Sequence, residues 1–344
     1  MMITKTKSLA TVALLAMVAL GGTTWTVQQR SIARAATTAD ARAANGSKVA
    51  GVQNNDFLPR LRLKEGATFR TRVSSDQTIT LTIQGKNVDV LRMIDVGYKM
   101  TVQKVVDNGD ATLKMDYDSI YVMEKSPGVT IEYDSAQPRP ITPLARYLTA
   151  VVGQSFTVTL SPLGKVVDIQ GIPKIVEALK TEQAKTQLPP QVQEAIGSGI
   201  EQGFGEATTR ASLEGITQFY PQTPIKVGGS WSDKRIDKLG GGRINQEDTF
   251  TLISRQNGRS KVEARATSRI DPESEGLQIG LAGSCKDGQG SSTTTMEVDE
   301  TTGWPVSSDV RSTLTGSLEP LAGAQPGVPA MQMTIKSRSR VSIT

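Results

Sequence analysis

The chain has 344 residues, with 39 Lys and Arg against 34 Asp and Glu, no histidine and a single cysteine, Cys285. Without histidine there is no His-based metal site, no Ser-His-Asp or Cys-His nucleophile system and no histidine general base. A lone cysteine rules out an intramolecular disulfide and a Cys-rich metal site, and 4% aromatics is sparse for a carbohydrate or nucleobase platform.

Lys5 and Lys7 precede the apolar run Leu9 to Leu20. A basic head before about a dozen apolar residues is the pattern of a secretory signal. Ala33-Arg34-Ala35 and Ala41-Arg42-Ala43 both have the small-x-small form of a cleavage site. The mature chain is expected to begin after Ala35, or failing that after Ala43. The alternative is an uncleaved anchor, since Ser8 to Trp25 approaches the roughly 17–25 residues that span a bilayer core. No cysteine follows the run, so a lipoprotein anchor is excluded. The chain is expected to be exported, periplasmic or extracellular. Residues 1–35 hold Lys5, Lys7, Arg30 and Arg34 and no acid, so the remainder has 35 basic against 34 acidic residues. The basic balance thus belongs to the targeting segment and gives no support to nucleic-acid binding.

Residues 36–56 are rich in Ala, Thr, Asn, Gly and Ser and read as a flexible tether, with Asn45-Gly46-Ser47 as spacer. A first antiparallel β region is expected over 57–171. Phe69, Thr71 and Val73 share a face, as do Ile79, Leu81 and Ile83, and Tyr98, Met100 and Val102 make another row. Asp107-Asn108-Gly109-Asp110 predicts a tight two-residue hairpin. After it Ala111, Leu113, Met115, Tyr117 and Tyr121 fall on one side, and Lys114, Asp116 and Asp118 on the other. Val129, Ile131 and Tyr133 continue the pattern. Phe156 to Leu160 and Val166 to Ile169 form a further hairpin about Ser161-Pro162-Leu163-Gly164-Lys165.

A helical insert is expected over 172–221. Ile172, Ile175, Val176 and Leu179 recur at helical spacing, with Pro173 early enough to be harmless. Val192, Ile196 and Ile200 give a second stripe, weakened by Gly197, Gly199, Gly203 and Gly205. Leu213, Ile216 and Tyr220 give a third. A second antiparallel β region is expected over 222–344. It includes Phe250 and Leu252 before the Asn257-Gly258 turn, then Val262 to Ser268, a strand at Leu277, Ile279 and Leu281, Thr294 to Val298, Val306 to Leu314, and a last strand from Met331 to Ile343.

The two β regions share signals in the same order. Leu63-Lys64-Glu65-Gly66 resembles Ile225-Lys226-Val227-Gly228; Asn108-Gly109 matches Asn257-Gly258; the turn at Gly164 matches that at Gly303. Two readings stay open: an internal duplication, or the chance likeness of strand-turn-strand sequences.

Leu63-Lys64-Glu65-Gly66, the Asp107-Asn108-Gly109 hairpin, and Gly153-Gln154-Ser155-Phe156 followed by Leu163-Gly164-Lys165-Val166 resemble a domain-of-unknown-function family of exported bacterial proteins. That resemblance implies no activity. In architecture the chain is distantly similar to periplasmic lipoprotein-carrier-like half-barrels. The expected fold is mainly β with a helical insert (α+β): a curved antiparallel sheet or half-barrel, with duplication left open and helices on one face.

Candidate chemical groups mostly have plainer explanations. Asp116 and Asp118 suit glycoside hydrolysis or calcium only if a ligand loop is near; a solvated sheet face explains them better. Gly240-Gly241-Gly242-Arg243 lacks the Lys-Ser/Thr ending of a phosphate loop. Lys336, Arg338 and Arg340 share a face, read as a charged edge that discourages strand pairing rather than a headgroup contact. Cys285 reads as a buried small residue. The expected function is non-catalytic, with no cofactor and no metal: an exported protein binding or carrying an apolar or amphiphilic ligand in a groove. Leu113, Met115, Tyr117, Ile196, Ile200 and Phe204 are the groove candidates, with 192–204 as a mobile cover. The alternative is a structural or interaction component of the bacterial envelope. The expected partner is accordingly a lipid or other apolar ligand, or an envelope component, and not nucleic acid.

Overall fold

Among the described residues, runs of alternating apolar and polar residues build the fourteen strands of one open antiparallel sheet. The computed structural model describes residues 56–137, 141–217, 219–239, 242–279, 283–319 and 330–344. The export segment, the tether up to residue 55 with its Asn45 triplet, Gly240, Gly241 and Leu281 lie outside the described residues.

The first region supplies β1 (Thr68–Ile83), β2 (Lys86–Val105), β3 (Ala111–Ser126), β4 (Val129–Asp134), β5 (Ser155–Leu160) and β6 (Val166–Gln170). A 3-10 helix, Pro143–Ala150, sits between β4 and β5. The insert forms α1 (Ile172–Ala184), α2 (Pro190–Phe204) and α3 (Glu206–Thr217). The second region supplies β7 (Ser230–Leu239), β8 (Gly242–Gln256), β9 (Arg259–Ile270), β10 (Leu277–Ile279), β11 (Gly283–Cys285), β12 (Gln289–Asp299), β13 (Pro305–Glu319) and β14 (Met331–Ile343). The strand order is β6-β5-β3-β2-β1-β14-β13-β12-β9-β8-β7, with β4 on β3 and β10–β11 off the main path.

Turn chemistry sets several joins. β1 and β2 meet at Gln84-Gly85, with φ of 51° and 76°, and β8 and β9 at Asn257-Gly258, with φ of 53° and 72°. Two consecutive left-handed residues make the two-residue hairpin turn that matches strand twist. The β2–β3 turn is longer than expected. Gly109 alone is left-handed there, the Val106 N–H donates to Asp110 O, and the Asn108 side chain accepts from the Asp110 N–H at 3.0 Å. Asn108 caps the turn with its side chain instead of adopting positive φ.

Both β regions repeat the same hydrogen bonds. The Gly66 N–H donates to Val102 O and the Gly228 N–H to Leu252 O; the Ala67 N–H donates to Lys64 O and the Gly229 N–H to Lys226 O. Pairing slips at Val102/Lys104 and again at Leu252/Ser254, then at Thr159/Leu160 and again at Glu297/Val298. Strands β1-β2-β3-β5-β6 therefore recur as β7-β8-β9-β12-β13. The copies lie side by side, six strand positions apart, with β14 between them.

Three further sequence expectations are corrected. A bulge opposite Gly97/Tyr98 inserts Asp118 into β3, so Ile120 and Glu124 turn inward and Tyr121 moves to the other face, pairing with Asp95. Tyr220 lies beyond the end of α3, and its hydroxyl donates to Gly303 O at 2.8 Å. The strand expected at Leu277 and Ile279 is present, as a three-residue strand off the main path. Lys336, Arg338 and Arg340 are on no edge: β14 is paired on both sides, with β1 and β13. The two arginines meet acids on neighbouring strands, Arg338 at Asp309 and Arg340 at Asp76.

The buried face of the sheet carries two apolar clusters. The larger lies with the helices and contains Ile175, Leu179, Ile196 and Ile200. The smaller gathers Ile79, Leu81, Leu277, Cys285, Leu314 and Ile335 from the far ends of the strands. At the free edge of β6 the Val166 N–H donates to Glu214 of α3, and Arg210 of α3 donates to Val166 O.

Candidate functional site

Between the buried face of β1, β2, β3 and β5 and the helices lies a cavity of about 110 Å³. Leu113, Met115 and Tyr117 reach it because alternate residues of β3 point inward ahead of the bulge, and Phe156 faces Met115 from β5. Phe204, the last residue of α2, closes one side. Most of the roof comes from α3, through Ser212, Leu213 and Ile216. Tyr117 is the centre of an aromatic group, with ring centroids 4.9 Å from Tyr98, 6.0 Å from Phe156 and 6.5 Å from Phe204. Burial pushes the Tyr117 phenol up to about 12, against the hydrogen bond with Tyr98, and burial also raises the Tyr98 phenol, with Tyr117 adding to the effect.

The candidate groove residues fall into two groups. Leu113, Met115, Tyr117 and Phe204 line the cavity together. Ile196 and Ile200 are buried in the same cluster but lie off the cavity wall. α2 packs chiefly on α1 and less on α3.

The charged lining of the cavity was not singled out in the sequence. Arg92 of β2 and Glu124 of β3 are register partners, with side chains only 2% and 8% exposed. The Arg92 Nε donates to Glu124 Oε2 at 2.9 Å. Tyr147 of the 3-10 helix also lines the cavity; burial and the Glu124 charge push its phenol up to about 12, with Arg92 opposing. The pair opens a row of polar side chains across the buried face. Glu124, Arg92, Gln77, Ser337, Ser312 and Ser292 are successive register partners on β3, β2, β1, β14, β13 and β12. The row divides the two apolar clusters. Gln77 Oε1 and Ser292 Oγ are buried without a hydrogen-bond partner among the described residues. Inward parity was the available signal: Val73, Ser75, Gln77, Ile79 and Leu81 alternate on one face, and Val90, Arg92 and Ile94 do so on β2.

The second region has a smaller cavity of about 40 Å³, lined in part by Arg235, Asp248, Thr294, Ser308 and Ser339. Arg235 pairs with Asp248 at 2.5 Å, and burial holds the Asp248 carboxyl above its ordinary value despite that pairing. Other candidates are structural. Lys114 pairs with Asp116, and Asp118 is exposed at the bulge. Gly242 closes the β7–β8 pairing opposite Leu239. Burial and Asp287 push the Cys285 thiol up to about 12, which makes it a poor nucleophile. Among the described residues no helix is long and apolar enough to cross a membrane.

Fold and site together define an open-sheet β protein with a helix-roofed apolar cavity and a buried ion pair at its wall. The chain belongs to a family of unknown function, DUF6263, whose pattern matches residues 108–305. No curated protein matches its sequence. Among solved structures it is similar to lipovitellin, studied for lipid–protein interactions, at 10% identity and a TM-score of 0.42. That match covers 82% of this chain but only 25% of lipovitellin, so the chain spans about a quarter of that protein's length. It is similar to DynF of the dynemicin biosynthesis pathway of Micromonospora chersina at 9% identity and a TM-score of 0.20, covering 87% and 92% of the two chains. It also has a weak similarity to a domain described for outer membrane lipoprotein sorting from Vibrio parahaemolyticus, at 6% identity and a TM-score of 0.13, covering 78% and 83%. At these scores no function carries over.

Proposed function

We propose that this is an exported, non-catalytic protein that binds an apolar or amphiphilic ligand between its first β region and its helices. The supporting observation is the apolar cavity of about 110 Å³ in an otherwise close-packed core. Natural cores leave few voids, and an apolar cavity of about 150 Å³ takes up benzene or xenon. A long acyl chain needs more room than this, so the roof must shift to admit one. The glycines of α2 lower its intrinsic stability by roughly 1 kcal/mol each relative to alanine, which makes a shift of the Phe204 side of the cavity less costly.

Native mass spectrometry of the purified exported protein, together with NMR titration by xenon and benzene, tests the reading. Expected are a co-purifying apolar or amphiphilic molecule and saturable shifts at Leu113, Met115 and Phe204. If neither gas nor benzene binds and nothing co-purifies, the ligand reading fails and a structural role in the envelope takes its place.

A further inference from the structure

The outward face of the second β region holds an open groove of about 1550 Å³ on the far side of the sheet from the apolar core. Alternate residues of β8, β9, β12 and β13 pave it, Thr267, Ser291 and Thr313 in one cross-strand row. Arg265 and Arg269 of β9 stand in this pavement, both exposed. Their register partners are neutral: Thr249 and Thr293 flank Arg265, and Asn245 and Gln289 flank Arg269. Opposite charges across strands stabilise a sheet, yet among the described residues neither arginine has an ion pair or a side-chain hydrogen bond. The acids lining the groove are held by lysines, Glu247 by Lys234 and Glu263 by Lys261. At the position matching Arg265 the first copy has Asp116, paired with Lys114. Beyond Thr293 the same row continues to Arg311, which lies directly opposite Arg338, with Asp309 serving both. Like charges so placed cost a sheet stability, and the second region carries that cost on this face.

The layout suits an extended polyanion. Arg265 and Arg269 are four residues apart on one strand, about 13 Å, and Arg311 stands about 10 Å from Arg265 across the strands. No aromatic ring is among the described residues that line the groove, so a stacked neutral sugar or nucleobase has no platform there. Its large apolar side chains are Ile236 and Ile253, too little to enter a lipid interface. A guanidinium matches a carboxylate with two parallel hydrogen bonds. The hydroxyls of Thr267, Ser291 and Thr313 have no partner among the described residues and can each donate and accept. From this charge and hydroxyl pattern we infer that the groove binds an acidic polysaccharide, with its carboxylates at Arg265 and Arg269 and its hydroxyls on the threonine and serine row. This site is separate from the apolar cavity and stands whether or not that cavity takes a ligand.

The experiment is a calorimetric titration of the full chain at neutral pH. The probes are polygalacturonate oligomers, dextran oligomers of equal length, oligothymidylate, and vesicles of phosphatidylglycerol with phosphatidylcholine. Polygalacturonate is expected to bind and dextran to give no signal. Raising sodium chloride from about 0.05 M to about 0.5 M is expected to weaken that binding at least about tenfold. Arg265→Gln and Arg269→Gln are each expected to weaken it about tenfold, while Lys114→Gln, on the outward face of the first region, leaves it unchanged. Both arginines are exposed, so melting curves are expected to stay in place; if one variant fails to fold, the other and the salt titration decide. Absence of polygalacturonate binding overturns the inference, as does binding that both arginine variants leave intact. Dextran binding as tightly as polygalacturonate overturns the charge argument. Oligothymidylate or the vesicles binding as tightly overturns the assignment to a polysaccharide.

Discussion

The two β regions share hydrogen bonds, bulges and turns, yet differ at matching inward positions. Leu113, Met115 and Tyr117 of the first correspond by register to Val262, Ala264 and Ala266 of the second. Phe156 corresponds to Thr294, and Ile169 to Ser308. Tyr98 and Val73 give way to Asp248 and Arg235. The first copy thus has large apolar side chains around the larger cavity. The second places Arg235, Asp248, Thr294 and Ser308 beside Phe250 and Met296 around a cavity of about 40 Å³. Backbone pairing fixes the scaffold in both, while the inward side chains decide whether a copy holds an apolar space.

The sharpest test of that contrast is the charge pairs. Arg92→Ala leaves Glu124 buried without its partner and is expected to cost about 3–5 kcal/mol. Arg235→Ala is expected to cost less, because its side chain is 16% exposed and burial already raises the Asp248 carboxyl above its ordinary value. Thermal melts giving equal losses would remove the distinction. Next in size is Leu113→Ala, expected to cost about 2–5 kcal/mol while enlarging the cavity and strengthening benzene binding. Val262→Ala at the matching position should destabilise less and create no benzene site.

Gly164 and Gly303 test what the copies share. Both have positive φ, 72° and 69°, and a Cβ would collide with Thr217 O in one and Arg60 O in the other. Alanine at either is expected to lower stability by at least about 1–3 kcal/mol. Gly109→Val should exceed Gly258→Val, since a Cβ at Gly109 meets Pro162 whereas that at Gly258 meets open space. Denaturant midpoints in the reverse order would undo the hairpin comparison.

The smallest effect is a pH dependence with two signs. The Asp248 carboxyl is raised above 3.8 by burial, so its penalty is absent below that ordinary value and complete above the raised one. Glu300 is held below 4.5, mainly by Arg255, so its stabilisation is present above 4.5 and is lost as pH falls through the lowered value. Melting curves between roughly pH 3 and 7 should therefore lose stability more steeply on acidification in Asp248→Asn and less steeply in Glu300→Gln. Parallel curves for the two variants would contradict both assignments.

Much of this was legible from alternation. The inward rows of β1, β3, β9 and β14 follow from period two, and the helical insert from Ile172, Ile175, Val176 and Leu179. What escaped was set by events that periodicity does not encode. The extra residue Asp118 reverses the parity of β3, which hid Glu124 as an inward residue and displaced Tyr121. Arg92 sits in the run Val90-Leu91-Arg92-Met93-Ile94, and its burial depends on Glu124 from a neighbouring strand. The central place of β14 is a long-range pairing with β1 that no local pattern specifies. Among the groove candidates, the inward parity of Leu113, Met115 and Tyr117 was readable. The packing that keeps Ile196 and Ile200 off the cavity wall was not.

The contact between α3 and the rim of β6 has a consequence for solubility. Two copies set side by side in one open sheet leave a rim at each end, as the units of an open filament do. Such an arrangement invites further molecules to add at each end, because a bare rim of N–H and C=O groups templates the next strand. Glu214 and Arg210 occupy both backbone groups of Val166, which closes that part of the rim to a further strand. The insert that roofs the cavity is thereby also a chain stopper, and variants that loosen α3 should form fibres at concentrations where the native chain stays dispersed.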